Sequence, residues 1–200
     1  MVVEITGDNS NRFDNYYVKW ESDSSTDGGY WQETVKPALK NSIDTATLPH
    51  LLIRQADGNF RFTPCDGATY TLSGTDYTVP SWGSRLVGDE DSNTDPSFVG
   101  NKLKDVFFHR NRLGFLAGEN IIMSRSSEFF DFYSETVTQV LDTDPIDVGS
   151  VTSKVANLHH AIPYDQELLV FSEQTQFKIG RTATITPKNV NALVVSEYQS

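Results

Sequence analysis

Three carboxylates, Glu128, Asp131 and Glu135, are spaced so that they would share one face of a helix if this segment is helical. Two carboxylates about 5–10 Å apart are the arrangement that glycoside hydrolysis requires. Acidic side chains on a helix face, however, are far more often solvated than catalytic. A glycan-binding or glycan-hydrolysing β protein is therefore the alternative hypothesis, and a non-enzymatic β protein is the main one.

The remaining residues that could do chemistry do not form a recognisable motif. Cys65 is the single cysteine, so the chain has no internal disulfide and no multi-cysteine metal site. Nucleophile elbow, phosphate-binding lysine loop and dinucleotide fingerprint are all missing from the sequence. The four histidines also lack the spacing of metal ligands: His50, His109, His159 and His160. We therefore predict no catalytic residue, no cofactor-binding residue and no metal site.

Two segments resemble known loops and fail the comparison. The acidic stretch 89–95 is similar to a calcium loop, but an EF-hand needs glycine at its sixth position and glutamate at its twelfth. Those positions hold Thr94 and Gly100, so we predict a solvated acidic turn. The stretch 25–31 resembles an aspartate box that is one residue short, and such a box would be a structural turn in any case.

A small basic group surrounds one predicted turn and is a weak candidate for contact with phosphate. The chain carries 27 acidic and 16 basic residues, a net charge of −11, which disfavours general affinity for nucleic acid. A hairpin rim or a subunit contact is the preferred interpretation on so acidic a chain. DNA contact is kept as a third hypothesis for four residues, Lys102, Lys104, Arg110 and Arg112.

The elements that must position these residues are predicted to be short strands. Apolar runs at 106–108, 113–116 and 121–123 are separated by a polar corner, 109–112, and a glycine-containing turn, 117–120. Three short strands joined by tight turns form an antiparallel meander. Aromatic and β-branched residues predict two further strands upstream, at 16–20 and 30–34.

Part of the meander recurs 55 positions later. Leu113, Phe115, Leu116 and Ile122 then correspond to Leu168, Val170, Phe171 and Phe177, with a small polar turn between the strands in both copies. A weaker echo is the hairpin 51–62, whose turn contains Asp57-Gly58. Repeated small antiparallel sheets of this size are typical of propeller blades, although hairpins of any all-β protein share some of this pattern.

The sequence thus predicts a mainly β fold of antiparallel meanders, with a partial β-propeller-like architecture and a smaller β domain. The polar, Gly/Pro-punctuated connector 79–95 suggests a small β-rich domain at 1–82 and propeller-like blades at 83–200. A helix is predicted over 126–141, between possible serine caps and Pro145. No apolar run approaches the length of a membrane-spanning helix.

The run 105–125, DVFFHRNRLGFLAGENIIMSR, resembles the signature stretch of the tail tubular protein B, or nozzle, family of short-tailed podovirus-type phages. Further matches extend the resemblance over nearly the whole chain: Gly7-Asp8, 16–18, 31–37, 48–50, 54–58, 87–93, 95–98, 158–161, 168–172 and 176–177. Members of this family are much longer, so the resemblance implies an internal section.

The resemblance implies a virion structural protein without catalytic residues. Its members are propeller-like with inserted small β domains, which agrees with the repeat. They form a ring, suspected to be a hexamer, that lies below the tail adaptor protein and anchors neighbouring components such as tail fibres. Phage DNA passes through the channel of this ring during ejection without specific binding. The expected localisation is therefore the phage tail, with no cofactor.

Overall fold

A computed structural model describes residues 1–7, 15–25, 28–150, 156–180 and 185–197, and these are built from strands and turns without an α-helix. The aspartate-box-like stretch 25–31 falls partly outside these residues. A 3-10 turn, Thr45–Thr47, precedes the fourth strand. The strands are β1 (Val2–Ile5), β2 (Tyr16–Asp23), β3 (Gly28–Thr34), β4 (Leu51–Arg54), β5 (Phe60–Thr63), β6 (Thr69–Leu72), β7 (Thr75–Thr78), β8 (Leu103–His109), β9 (Arg112–Ala117), β10 (Asn120–Met123), β11 (Ile146–Gly149), β12 (Leu158–Tyr164), β13 (Glu167–Ser172), β14 (Thr175–Ile179) and β15 (Ala192–Glu197).

Two consecutive four-stranded antiparallel meanders form the centre of the fold. Strands β8 to β11 make the first meander sheet, and β12 to β15 make the second. The predicted strands at 106–108, 113–116 and 121–123 are confirmed as β8, β9 and β10. The turn between β8 and β9 has positive φ at both Arg110 and Asn111, which is the type I′ geometry that matches the twist of a two-residue hairpin.

The predicted repeat is confirmed in the register of the strands. In the first meander sheet Ile121 lies opposite Leu116 and Ile122 opposite Phe115. In the second sheet the residues 55 positions later form the same pairs, Gln176 with Phe171 and Phe177 with Val170. Because side chains alternate between the two faces of a strand, corresponding residues occupy corresponding faces of the two sheets.

Strands β9 and β10 of the first meander sheet are covered on both faces, which explains why β9 reads as an almost continuous apolar run. One face packs against the second sheet through Leu116, Ile121 and Met123, which belong to a buried cluster with Val170 and Phe177. The other face contacts an aromatic cluster from the preceding loops and the segment after β10, made of Trp82, Phe98, Phe115 and Phe132. Burial of this apolar surface is the main force that holds the two sheets together.

The preceding part of the chain forms a three-stranded sheet, β1–β2–β3, and two hairpins, β4–β5 and β6–β7. Hydrogen bonds tie it to the connector: Lys36 N–H donates to Gly88 O at 2.9 Å, and Gly88 N–H donates to Thr34 O at 3.1 Å. Buried Arg85 donates to Asn93 O at 2.6 Å and to the Asp95 carboxylate at 2.6 Å. The division into domains at residues 82 and 83 stays a prediction.

The predicted helix at 126–141 is wrong, because this segment is a series of turns. Ser127 has φ +69°, which is incompatible with an α-helix. The side chains of Asp131 and Asp144 accept backbone N–H groups of Tyr133 and Leu141 at 3.1 and 2.7 Å, and such local bonds compete with helical ones. None of the described residues forms a helix long and apolar enough to cross a membrane.

Candidate interaction surfaces

The structure does not bring any two of the three carboxylates proposed for glycan chemistry together as a pair without a cationic partner. The guanidinium of Arg125 lies between two of them: it is 3.2 Å from Asp131 and also pairs closely with Glu135. Glu128 instead donates its backbone N–H to Arg125 O at 3.2 Å, and Glu128 is exposed. The segment therefore forms a local ion-pair network around Arg125.

A cleft beside Glu135 also contains Glu21 and Glu33, so three carboxylates line it. Glu21 pairs with Lys19 at 2.6 Å, and Glu33 accepts hydrogen bonds from Thr136 Oγ1 at 2.8 Å and Val137 N–H at 3.3 Å. No aromatic side chain of the described residues lines this cleft. Its acids thus have partners, and it lacks the flat stacking surface that sugar rings use.

The proposed basic corner separates into different environments. Arg112 is only 1% exposed, and its guanidinium donates to backbone oxygens of Ser124, Asp142 and Asp144 at 2.6, 2.8 and 2.7 Å. Burial lowers the pKa of Arg112 from its ordinary value, while the charge of Asp144 opposes this shift. The hypothesis that Arg112 contacts DNA is wrong, because its donors point inward to carbonyl groups.

The other three basic residues lie at or near the surface. Lys102 and Lys104 are exposed, whereas Arg110 is half-buried and donates to Gln166 O at 3.1 Å. Neighbouring His109 is buried, and burial together with the charge of Arg110 lowers the pKa of its imidazole. The described residues contain no group of three histidine, cysteine or acidic side chains that could hold a metal ion.

The acidic stretch 89–95 is held in place by its own first carboxylate. Asp89 is buried and accepts N–H groups of Asp91 and Ser92 at 3.1 and 3.0 Å, so the prediction of a wholly solvated turn is wrong at this residue. Burial raises the pKa of Asp89, but these hydrogen bonds and Lys36 outweigh it and leave the pKa below its ordinary value. Burial, Glu4 and Asp89 raise the pKa of Tyr17 to about 12.

A surface that sequence reasoning missed is the outer face of the β4–β5 hairpin. Leu52 lies opposite Phe62, and Arg54 lies opposite Phe60, so the four side chains share one face. The three apolar ones are more than 60% exposed, and the ring of Phe62 stacks on His50 at 5.2 Å between centroids. Alternating apolar residues at 52, 60 and 62 were the signal that could have located this face.

An apolar groove of about 570 Å³ lies beside this hairpin and was also missed. His50 and Leu51 line the groove together with residues of β8. The rings of Phe108 and Phe129 meet edge to face at 4.8 Å. No signal in the sequence could have found the groove, because its walls come from distant parts of the chain: Leu51, Val106, Phe108, Phe115, Phe129 and Phe130.

A third apolar surface is the outer face of the second meander sheet. The paired residues Ile162, Leu169, Lys178 and Leu193 form one row across its four strands. Ile162 and Leu193 are exposed, and Lys178 is 3.4 Å from Glu167. This face is therefore mixed, with apolar ends around a central ion pair.

Exposed apolar surfaces of this kind are typical of sites at which a protein contacts other molecules. A family model described as bacteriophage nozzle protein matches residues 1–200. The chain belongs to this family of phage tail proteins, which confirms the family resemblance and the virion as its location.

A relative supports the same assignment. The chain is 38% identical over 197 residues to the tail tubular protein gp12 of Escherichia phage T7. The match covers 98% of this chain, and the chain spans 22% of the length of that relative. The structural role in a phage tail is thus shown by the family and by a named tail protein, rather than by any catalytic arrangement.

Proposed function

We propose that this chain is a structural section of a tail nozzle that assembles into a ring of six copies below the tail adaptor. The observation that carries the proposal is the nozzle family match over residues 1–200. The name of the T7 relative, a tail tubular protein, agrees with a tube-forming role. We extend this match to the whole assembly. The extension comprises ring formation, contact with the adaptor and fibres, and passage of DNA.

We also propose that the two meander sheets are neighbouring blades of a propeller-like unit. Leu116, Ile121 and Met123 cover the face of the first sheet that packs on the second. Their counterparts 55 positions later, Phe171, Gln176 and Lys178, lie on the outer face of the second sheet. The sheets therefore stack in the same sense, and the outer face of the second is the surface on which a further blade would pack.

The charge of the chain supports the passage of DNA without specific binding. A net charge of −11 repels phosphate, so DNA would not be retained on most of this surface. Arg112, the arginine of the predicted basic corner at 109–112 that begins β9, is buried and bonded to carbonyl groups, so it cannot make a bidentate phosphate contact. Exposed Lys102 and Lys104 are too few to offset this balance.

Locating the protein in the virion tests the proposed function directly. A short peptide tag can be inserted in the exposed turn Ser73-Gly74 between β6 and β7. Gold-labelled antibody against the tag should mark the lower part of the tail in purified particles, with several labels per tail. Label on the head or only on unassembled protein would contradict a nozzle role, and an untagged virus provides the background count.

A further inference from the structure

We propose that the outer face of the β4–β5 hairpin and the adjoining groove together form the seat for a second copy of this chain. This inference rests on the proposed ring, and it adds which surface of the subunit makes the contact. We call this combined region the hairpin–groove surface. It comprises Leu52, Phe60 and Phe62 on the hairpin, and Val106 and Phe108 at the groove.

The hairpin–groove surface is continuous through direct contacts. Phe62 lies opposite Leu52 on the hairpin and stacks on His50. His50 also lines the groove, as do Phe108 and Phe129, whose rings contact each other. One partner surface can therefore cover the hairpin face and the groove at once.

The groove has a packed floor and an exposed rim. Cys65 and Phe115 at the floor are buried in the aromatic core cluster. Val106 and Phe108 at the rim are 61% and 51% exposed, although they lie on a strand whose neighbours Phe107 and His109 are buried. A preformed apolar groove lowers the entropic cost of association, because its walls are ordered before a partner arrives.

The area fits an interface between protein subunits. Phe60 and Phe62 are 63% and 72% exposed, and Leu52 is 66% exposed. Together with Val106 and Phe108 these side chains leave on the order of 500 Å² of apolar surface in water. A stable interface covers about 800 Å² on each partner, with an apolar centre and a polar rim. The hairpin–groove surface has the size of such a centre.

Charge indicates a second copy as the occupant. Exposed Arg54 shares the hairpin face and exposed Lys104 lines the groove, while the acid that lines the groove, Asp105, already accepts N–H groups of Val106 and Ala161. The two parts of the surface therefore each carry an exposed cation, on a chain with 27 acids and 16 bases. Most of the remaining surface is acidic, so a second copy presents the complementary charge by a different face, which is the heterologous contact that closes rings.

The test compares two variants of the hairpin–groove surface with a matched control in the full-length protein. Phe62→Asp and Val106→Asp place a charge in the surface, and Leu86→Asp places the same charge at an equally exposed apolar residue outside it. Sedimentation over a range of concentrations should show that the two variants weaken self-association by about 30-fold or more. The Leu86→Asp control should associate as the unchanged protein does.

Four other results would each overturn the inference. Self-association of Phe62→Asp and Val106→Asp at the unchanged strength would overturn it while leaving the ring proposal intact. A monomeric unchanged protein would overturn both proposals. Loss of thermal stability in the two variants but not in Leu86→Asp would mean that the surface is covered by the same polypeptide. Normal self-association with failure to join the tail would assign the surface to another tail protein.

Discussion

The carboxylate of Asp105 on β8 accepts the backbone N–H of Ala161 on β12 at 2.8 Å, and this bond joins the edge strands of the two meander sheets. The other carboxylate oxygen accepts the N–H of Val106 at 2.9 Å. The Asp105 side chain therefore accepts hydrogen bonds from two backbone N–H groups at strand edges. Without it, these N–H groups would be free to pair with another chain.

Replacing Asp105 by alanine should weaken the contact between the two sheets. Two backbone donors would lose their acceptor, and the expected loss of unfolding free energy is about 1–3 kcal/mol. Asp105→Asn should retain part of the stability, since its amide oxygen can still accept one bond. Urea denaturation measures the effect, and Lys104→Ala on the same strand is the control; equal midpoints for Asp105→Ala and this control would refute the prediction.

Gly114 lies opposite Phe107 in the pair β8–β9, and the phenyl ring covers the space of a side chain at Gly114. A methyl group there would overlap the Phe107 ring. Gly114→Ala should therefore displace a buried ring and cost about 1–3 kcal/mol. Gly149→Ala is the control, because the nearest atom to its added carbon is 3.9 Å away. A Gly114→Ala melting temperature equal to that of the control would contradict this account of β9.

Arg112 should be among the most sensitive residues of the chain. Arg112→Ala removes the donors of buried carbonyl groups at 124, 142 and 144, and we expect a loss of about 2–4 kcal/mol. Arg112→Lys should restore only part of it, because an ammonium group lacks the planar fork of donors. Arg110→Ala, whose side chain is half-buried and donates to Gln166 O, should cost less than Arg112→Ala. Denaturant titration that ranks Arg110→Ala above Arg112→Ala would disprove this assignment.

His109 should make the protein less stable in mild acid. Its folded pKa is lowered from the ordinary 6.5, so below that pH the unfolded chain binds a proton that the folded chain does not. The contribution of neutral His109 is therefore present above pH 6.5 and is lost as pH falls through the lowered value, by up to about 1.4 kcal/mol per pH unit. Melting temperatures at pH 7.5 and 5.5 should differ less in His109→Gln than in His160→Gln, whose ring is exposed. The same difference in both variants would reject the prediction.

The carboxylates around Arg125 should support no hydrolysis. Purified full-length protein is expected to leave host polysaccharide uncleaved, because Asp131 and Glu135 are paired with Arg125. Reducing-end assays with the unchanged protein and Asp131→Asn measure this. Cleavage that Asp131→Asn abolishes would establish the glycan-hydrolysing alternative.

The strands and their repeat were predictable because their signals are local. Alternation, tight turns and the 55-residue correspondence located β8, β9, β10, β13 and β14. The same local reasoning failed at 126–141, where aromatic side chains pack into a cluster assembled from distant segments. Arg112 was also misjudged, since its acceptors lie 12 to 32 residues away and only the folded chain brings them together.

The exposed surfaces were the least predictable part. The groove is formed by segments around 50, 65, 82, 105 and 130, so its existence depends on long-range packing. The hairpin face was visible in the alternation of 52, 60 and 62, but a sequence cannot distinguish an exposed apolar face from a covered one. The surface proposed as a subunit interface could therefore be located only in the structure.

Electron microscopy of the negatively stained full-length protein, alone and mixed with its tail adaptor, tests the central claim most directly. A nozzle protein should form closed rings or a short tube that stacks below the adaptor, with a central channel wide enough for a DNA duplex. A stable monomer that ignores the adaptor at all concentrations would contradict the ring and the nozzle role together.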